Sequence, residues 1–330
     1  MKTTSLAALL AWSAAACLPA HALDRQVEVF DAHASAGLPR EFSLPDPAGG
    51  TRQVVLIGKL RADIEVDDVP ASVYLARIDG QPGTIARVGD ELDIALDDDD
   101  TPGHATDGPL DRVIDDDYLP PLSQEKTFGL ARSAPDAAPE PEPESDALDI
   151  WIFLHDTSGE NDRAKFVNWY LTWWAKDMED AVNPGVPVRL SVHDKVPGVT
   201  DIDYHTGTDV ERIQDFRVRG AAYARSRGAR ITPLTKFVLF VNEPARNWDF
   251  GTLGASVEPY GAAIASTRGH RHIFAHEVGH LLGARHEDAE FRFLCLTNMK
   301  DNIWGLGSCK YYSKANDDNI RRYVRARARS

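Results

Sequence analysis

Beyond its N-terminus this 330-residue chain has no apolar run long enough to cross a bilayer, so no membrane span is expected. It has only three cysteines and three methionines, so each is informative by position. Basic residues form no stripe with interleaved aromatics, and the net charge is −15, which speaks against a nucleic-acid partner. The one early apolar stretch, Leu6 to Pro19, follows Lys2 and ends in Ala20, His21, Ala22, an A-x-A cleavage signal. Residues 1–22 therefore read as a secretory signal peptide, with the mature chain starting at Leu23 and destined for the periplasm or the medium. The residues before Cys17 lack the leucine of a lipidation signal, so no lipid anchor is expected there.

Charge is divided unevenly. Residues 1–147 hold 28 acidic and 11 basic side chains, against 23 and 25 in residues 148–330. Between them lies 133–147, where Pro135, Pro139, Pro141 and Pro143 alternate with acids, an extended linker that cannot bury a core. Residues 23–132 form an acidic region with strand-like runs at Val54–Leu60 and Ser72–Ile78, read as a small β-rich module. The runs Asp97–Asp100 and Asp115–Asp117 fit solvated loops better than calcium sites.

In residues 148–330, strand and helix signals alternate. Ile150–Leu154 reads as a strand, and 161–182 as a helix rich in aromatics (Phe166, Trp169, Tyr170, Trp173, Trp174) that suit a core. Val186–Val192 is a second strand, Asp209–Arg227 a second helix and Lys236–Val241 a buried third strand. The order βαβαβ implies a twisted, mostly parallel sheet with right-handed crossovers, an α/β architecture. Gly251–Ser266 suits an antiparallel edge strand and its return.

The chemistry concentrates in residues 276–286, which spell HExxHxxGxxH. His276 and His280 lie one helical turn apart and can grip a single ion, with Glu277 on the adjacent edge, placed to deprotonate a water. His286 would stand about 15 Å beyond His276 if the helix continued, so the chain must turn back, and Gly283 permits that turn. The pentamer alone is expected in about 1 in 60 chains of this composition, but the full pattern in fewer than about 1 in 10,000. Three histidines and an open fourth position point to a catalytic zinc ion, with Glu277 as general base.

This extended motif resembles the metzincin zinc endopeptidases, and within them the bacterial peptidyl-Asp metalloendopeptidase group. The resemblance covers about the last 180 residues and is strongest from Arg271 to Ser313. It implies a metzincin-like zincin fold and activity on protein or peptide substrates laid along the edge strand. It also implies a methionine turn beneath the metal, for which Met299 is the candidate, the alternative being a gap-filling core residue. Astacins and serralysins place a tyrosine two residues after that methionine. Here the position is Asp301, so that tyrosine ligand is absent. Tyr311 or Tyr312 is left either to steady an oxyanion or to pack.

Cys295 and Cys309 flank Met299 and should form a disulfide in an oxidising compartment. The acidic N-terminal region is expected to act as an inhibitory propeptide on a monomeric enzyme, and Asp90, after Gly89, is a weak candidate metal-blocking ligand. Lys300, Lys310, Arg285 and Arg292 lie near the expected substrate pocket and favour acidic side chains beside the scissile bond. The rival reading is a secreted or envelope zinc-binding protein with little proteolytic activity.

Overall fold

The computed structural model describes residues 19–97, 146–243, 254–268, 271–292, 295–300 and 307–328. Most of the expected signal peptide, the acidic runs after Asp97 and nearly all of the Pro-rich linker lie outside these residues.

The central strands are β7 (Leu148–Leu154), β8 (Val188–Asp194) and β9 (Thr235–Val241). With β11 (Ala262–Ser266) they run parallel in the order β8-β7-β9-β11, and β10 (Gly254–Val257) adds an antiparallel edge. The apolar run Ile150–Leu154 and the wholly buried β9 are what a sheet covered on both faces requires.

One face is covered by a continuous helix, α2 (residues 163–182), in which two π-helical turns, Val167–Leu171 and Met178–Val182, interrupt the α geometry. Its start is doubly capped. Asp162 accepts the N–H of Lys165, and Glu91 accepts those of Arg163 and Ala164 at 2.7 and 3.0 Å. The other face is covered by α3 (Asp209–Ser226), which opens with a capping box between Thr208 and Glu211. Two more helices, α4 (Ile273–Leu281) and α5 (Lys314–Arg325), join α2 over the first face, where Phe274, Val278, Ile320 and Val324 are buried together with Trp174 and Phe240.

The acidic N-terminal region begins with helix α1 (Pro19–Ala34), in which the expected Ala22–Leu23 cleavage point falls. Six strands follow: β1 (Arg40–Pro45), β2 (Thr51–Lys59), β3 (Asp63–Val66), β4 (Val69–Ile78), β5 (Gln81–Val88) and β6 (Glu91–Leu96). They do not form a separate sheet. β3 pairs in parallel with β8, Asp63 against Arg189 through Val66 against Val192, so one sheet of 11 strands runs through both halves of the chain. Ile64, Val66, Val73 and Val88 are buried in the same cluster as Ile150 and Leu190. Arg61 and Ala62 donate their backbone N–H groups to Glu179, and Asn168 hydrogen-bonds Thr84 and Asp93, which ties α2 to this region.

Candidate metal and catalytic site

The histidine helix α4 lies against β10 and β11. It ends as the glycine predicts: Gly283 has φ +81°, its N–H donates to His280 O, and Ala284 N–H donates to Gly279 O. These two bonds form a Schellman cap, which only a residue at ease in left-handed backbone can close. The reversal brings the short 3-10 turn His286–Asp288 back beneath α4.

His276, His280 and His286 consequently converge. Nε2 of His276 stands 3.2 Å from Nε2 of His280 and 3.1 Å from Nε2 of His286. Nitrogen atoms about 3.3 Å apart are what a tetrahedral ion with bonds of about 2.0–2.1 Å needs, so this donor set fits zinc. Among the described residues these three form the one group of side chains whose ligand atoms come so close together. Nδ1 of His276 donates to the Asn298 carbonyl at 2.9 Å, which fixes the tautomer and leaves the Nε2 lone pair facing the ion's position. Burial, and then the neighbouring imidazoles, push His276 well below its ordinary value and keep it neutral.

Glu277 is 2 % exposed and lies beside the edge strand: a Cβ at Gly254 would overlap its Oε1. The general-base candidate thus sits where the antiparallel edge begins.

Met299 is fully buried, and its sulfur packs against the α-carbon of Gly279, between the first two histidines. Cys295 and Cys309 form the expected disulfide, joining β13 (Cys295–Leu296) to the end of a small sheet with β12 (Phe291–Arg292) and β14 (Gly307–Ser308). Tyr312 is not available to an oxyanion. It is buried, its hydroxyl donates to Ala275 O on α4, and Trp174 Nε1 donates to that hydroxyl at 3.1 Å. Tyr311 is exposed.

A narrow crevice lies beside α4, bounded by Tyr170, Trp173, Ala275, Asn298, Arg271 and Lys310. Of the four cations expected near a substrate pocket only Lys310 lines it, whereas Arg285 and Arg292 point outward and pair with Glu287 and Glu290. Arg271, buried with its guanidinium 3.5 Å over the Trp169 ring, was not singled out from sequence. Lys310 Nζ lies 4.7 Å over Trp173. The aromatic helix therefore serves two ends: Phe166, Tyr170 and Trp174 fill the core, while Trp169 and Trp173 hold cations. The Nζ of Lys310 also donates to the Asp97 carbonyl and stands 3.7 Å from its carboxylate, so the N-terminal region reaches this crevice. Asp90, by contrast, is exposed in the tight turn between β5 and β6.

No protein-family model and no curated protein matches this chain. Among solved structures it is similar to the crystal structure of metalloproteinase-II from Bacteroides fragilis, with 17% identity over 91% of this chain and 97% of that one and a TM-score of 0.50. At that identity the likeness is one of fold, extending over the N-terminal strands as well as the sheet that carries the histidines. The structure of a chaperone-substrate complex aligns with 56% of this chain and 36% of its own at 16% identity, with a TM-score of 0.37, too distant to bear on this protein.

Proposed function

We propose that this chain is a secreted zinc-dependent endopeptidase of the metzincin type, made as a zymogen. The observation that carries this reading is the convergence of three Nε2 atoms with a buried Glu277 one residue after the first ligand. A zinc-binding protein without enzymatic work has no need of that carboxylate or of an adjoining strand edge. Held by His276, His280 and His286, a zinc ion would supply Lewis acidity, polarising the scissile carbonyl and lowering the pKa of water toward about 7. Glu277 takes the proton from the attacking water and returns it to the leaving amine. β10 offers backbone hydrogen bonds to an extended peptide, which places the scissile bond beside Glu277.

The crevice beside α4, which at about 10 Å³ must widen to take a side chain, would give selectivity. Arg271 and Lys310 line it and favour an acidic side chain next to the cleaved bond. The contact of Asp97 with Lys310 supports an inhibitory role for residues 23–97, whose end occupies the rim of that crevice. The disulfide, and the lack of any helix long and apolar enough to cross a membrane among the described residues, suit an exported protein.

The test is hydrolysis of an unfolded protein by the full mature chain, before and after cutting at a protease site placed within 98–145. Activity that rises on cutting and vanishes in Glu277→Ala and after chelation supports the whole reading. A zinc-loaded chain that cuts nothing in either form supports the binding-protein alternative. Peptides differing only in the residue after the scissile bond test selectivity, and equal rates for acidic and apolar versions reject it.

A further inference from the structure

The N-terminal strands carry two apolar surfaces. Along β5 successive residues face opposite ways: Ile85 joins Phe30, Phe42 and Leu56 in a cluster closed by α1, whereas Ala86 joins the cluster of Ile150 and Leu190. The first cluster is built from residues 23–97 alone, so this region has a core of its own. The second is shared, with Val73, Ala86 and Val88 on one side and Phe166, Val167 and Leu171 of α2 on the other.

Polar groups are matched across the same boundary. Thr84 Oγ1 donates to Asn168 Oδ1 at 2.6 Å, and both residues are fully buried. Glu179 of α2 accepts the backbone N–H groups of Arg61 and Ala62 at 2.5 and 2.7 Å, while Glu91 caps the start of the same helix. Asp67 donates its N–H to Val192 O at 2.8 Å and accepts that of Asp194 at 3.0 Å, which prolongs the β3–β8 ladder. Separation would strip these donors and acceptors of their partners, which carries a real penalty for buried groups.

β8 has β7 on one side and β3 on the other, so it is an interior strand of the sheet. The groups that pair across the boundary all lie within residues 61–91 or 150–194, and a cut within 98–145 removes none of them.

We propose that residues 23–97 are a lasting subunit: when the linker is cut they stay bound, as the smaller chain of a heterodimer whose other member is the histidine-bearing half. The boundary has the make-up of an obligate interface, an apolar core with polar groups matched across it. Resting on the zymogen reading, a cut then relieves inhibition by loosening the end at Asp97 from Lys310, and not by removing the strands.

The test uses the full mature chain carrying Glu277→Ala, cut by a sequence-specific protease at a site placed within 98–145, followed by gel filtration and native mass spectrometry. Both pieces are expected in one particle at about 1 μM, with a single urea transition whose midpoint rises with protein concentration. Glu179→Ala, which removes a charged acceptor of two backbone bonds, is expected to raise the dissociation constant of the cut chain at least about tenfold. Should that variant not fold, dilution of the cut parent decides alone. Pieces that separate at about 1 μM without denaturant, two transitions indifferent to concentration, or an affinity unmoved in a folded Glu179→Ala chain would each overturn the proposal. None of these readouts needs zinc or catalysis, so a chain that is no protease fails the hydrolysis test above and leaves this result standing.

Discussion

Gly279 and Met299 share one space: a Cβ built on the glycine would stand 2.5 Å from the methionine sulfur and 3.0 Å from the Tyr312 ring. The histidine helix is therefore seated directly on the turn beneath it. Gly279→Ala is expected to lower stability by about 1–3 kcal/mol, the usual range for overpacking, and to weaken zinc binding by moving His280. Urea unfolding and competitive zinc titration would check both. Met299→Leu, which roughly conserves volume, should lose less than about 1.5 kcal/mol.

Gly254 has a similar relation to Glu277. Because any side chain there overlaps the carboxylate, Gly254→Ala should push Glu277 aside and reduce kcat at least about 100-fold while the histidines keep their zinc. Metal analysis alongside peptidase kinetics reads the two effects separately. Full activity in this variant would remove Glu277's present rotamer from the mechanism.

Asp177 links acidity to the support of α4. It accepts the Tyr312 N–H at 2.8 Å, and Tyr312 in turn bonds Ala275. Burial pushes Asp177 up to about 7, with the nearby charge of Asp317 adding to the rise, and burial likewise pushes Asp317 up to about 6. An unfolded aspartate titrates near 3.9. From about pH 4 to 7 the folded chain retains protons that the unfolded chain has released, so stability falls across that window and levels off above it. Asp177→Asn, which keeps a carbonyl acceptor for Tyr312, should flatten the decline, making the loss of stability between pH 4 and pH 8 smaller than in the parent chain by on the order of 1–3 kcal/mol. Urea midpoints at the two pH values decide this.

The disulfide spans 14 residues of separation and closes the segment that contains Met299. Replacing Cys295 and Cys309 with serine should lower stability by about 3 kcal/mol in the chain-entropy account. Zinc affinity should fall with it, because Asn298, which orients His276, lies within the closed segment. Thermal unfolding with and without zinc tests that coupling.

Much of the site can be read locally because its geometry is local. His276 and His280 are one turn apart, and Gly283 closes the cap that returns His286, so spacing alone assembles the donors. The alternation of strands and helices after residue 148 was legible for the same reason: runs such as Lys236–Val241 are buried on both faces, and the observed strand begins one residue earlier. What sequence does not disclose is pairing at long range. Val54–Leu60 announces a strand, but nothing in it or in Asp63–Val66 names β8 as a neighbour more than 100 residues onward. Arg271 was equally hidden, because an arginine buried over a tryptophan looks in sequence like any surface cation. Tyr312 was undecided between packing and catalysis until the position of its hydroxyl was known.

The pairing of β3 with β8 also bears on what would follow if the N-terminal region were removed. If residues 23–97 were shed, β8 would be left as a bare parallel edge with Leu190 and Val192 behind it, and such edges recruit strands from other molecules. In a chain cut within residues 98–145, the severed N-terminal piece would instead stay as a hem on the sheet, two chains held as a single particle.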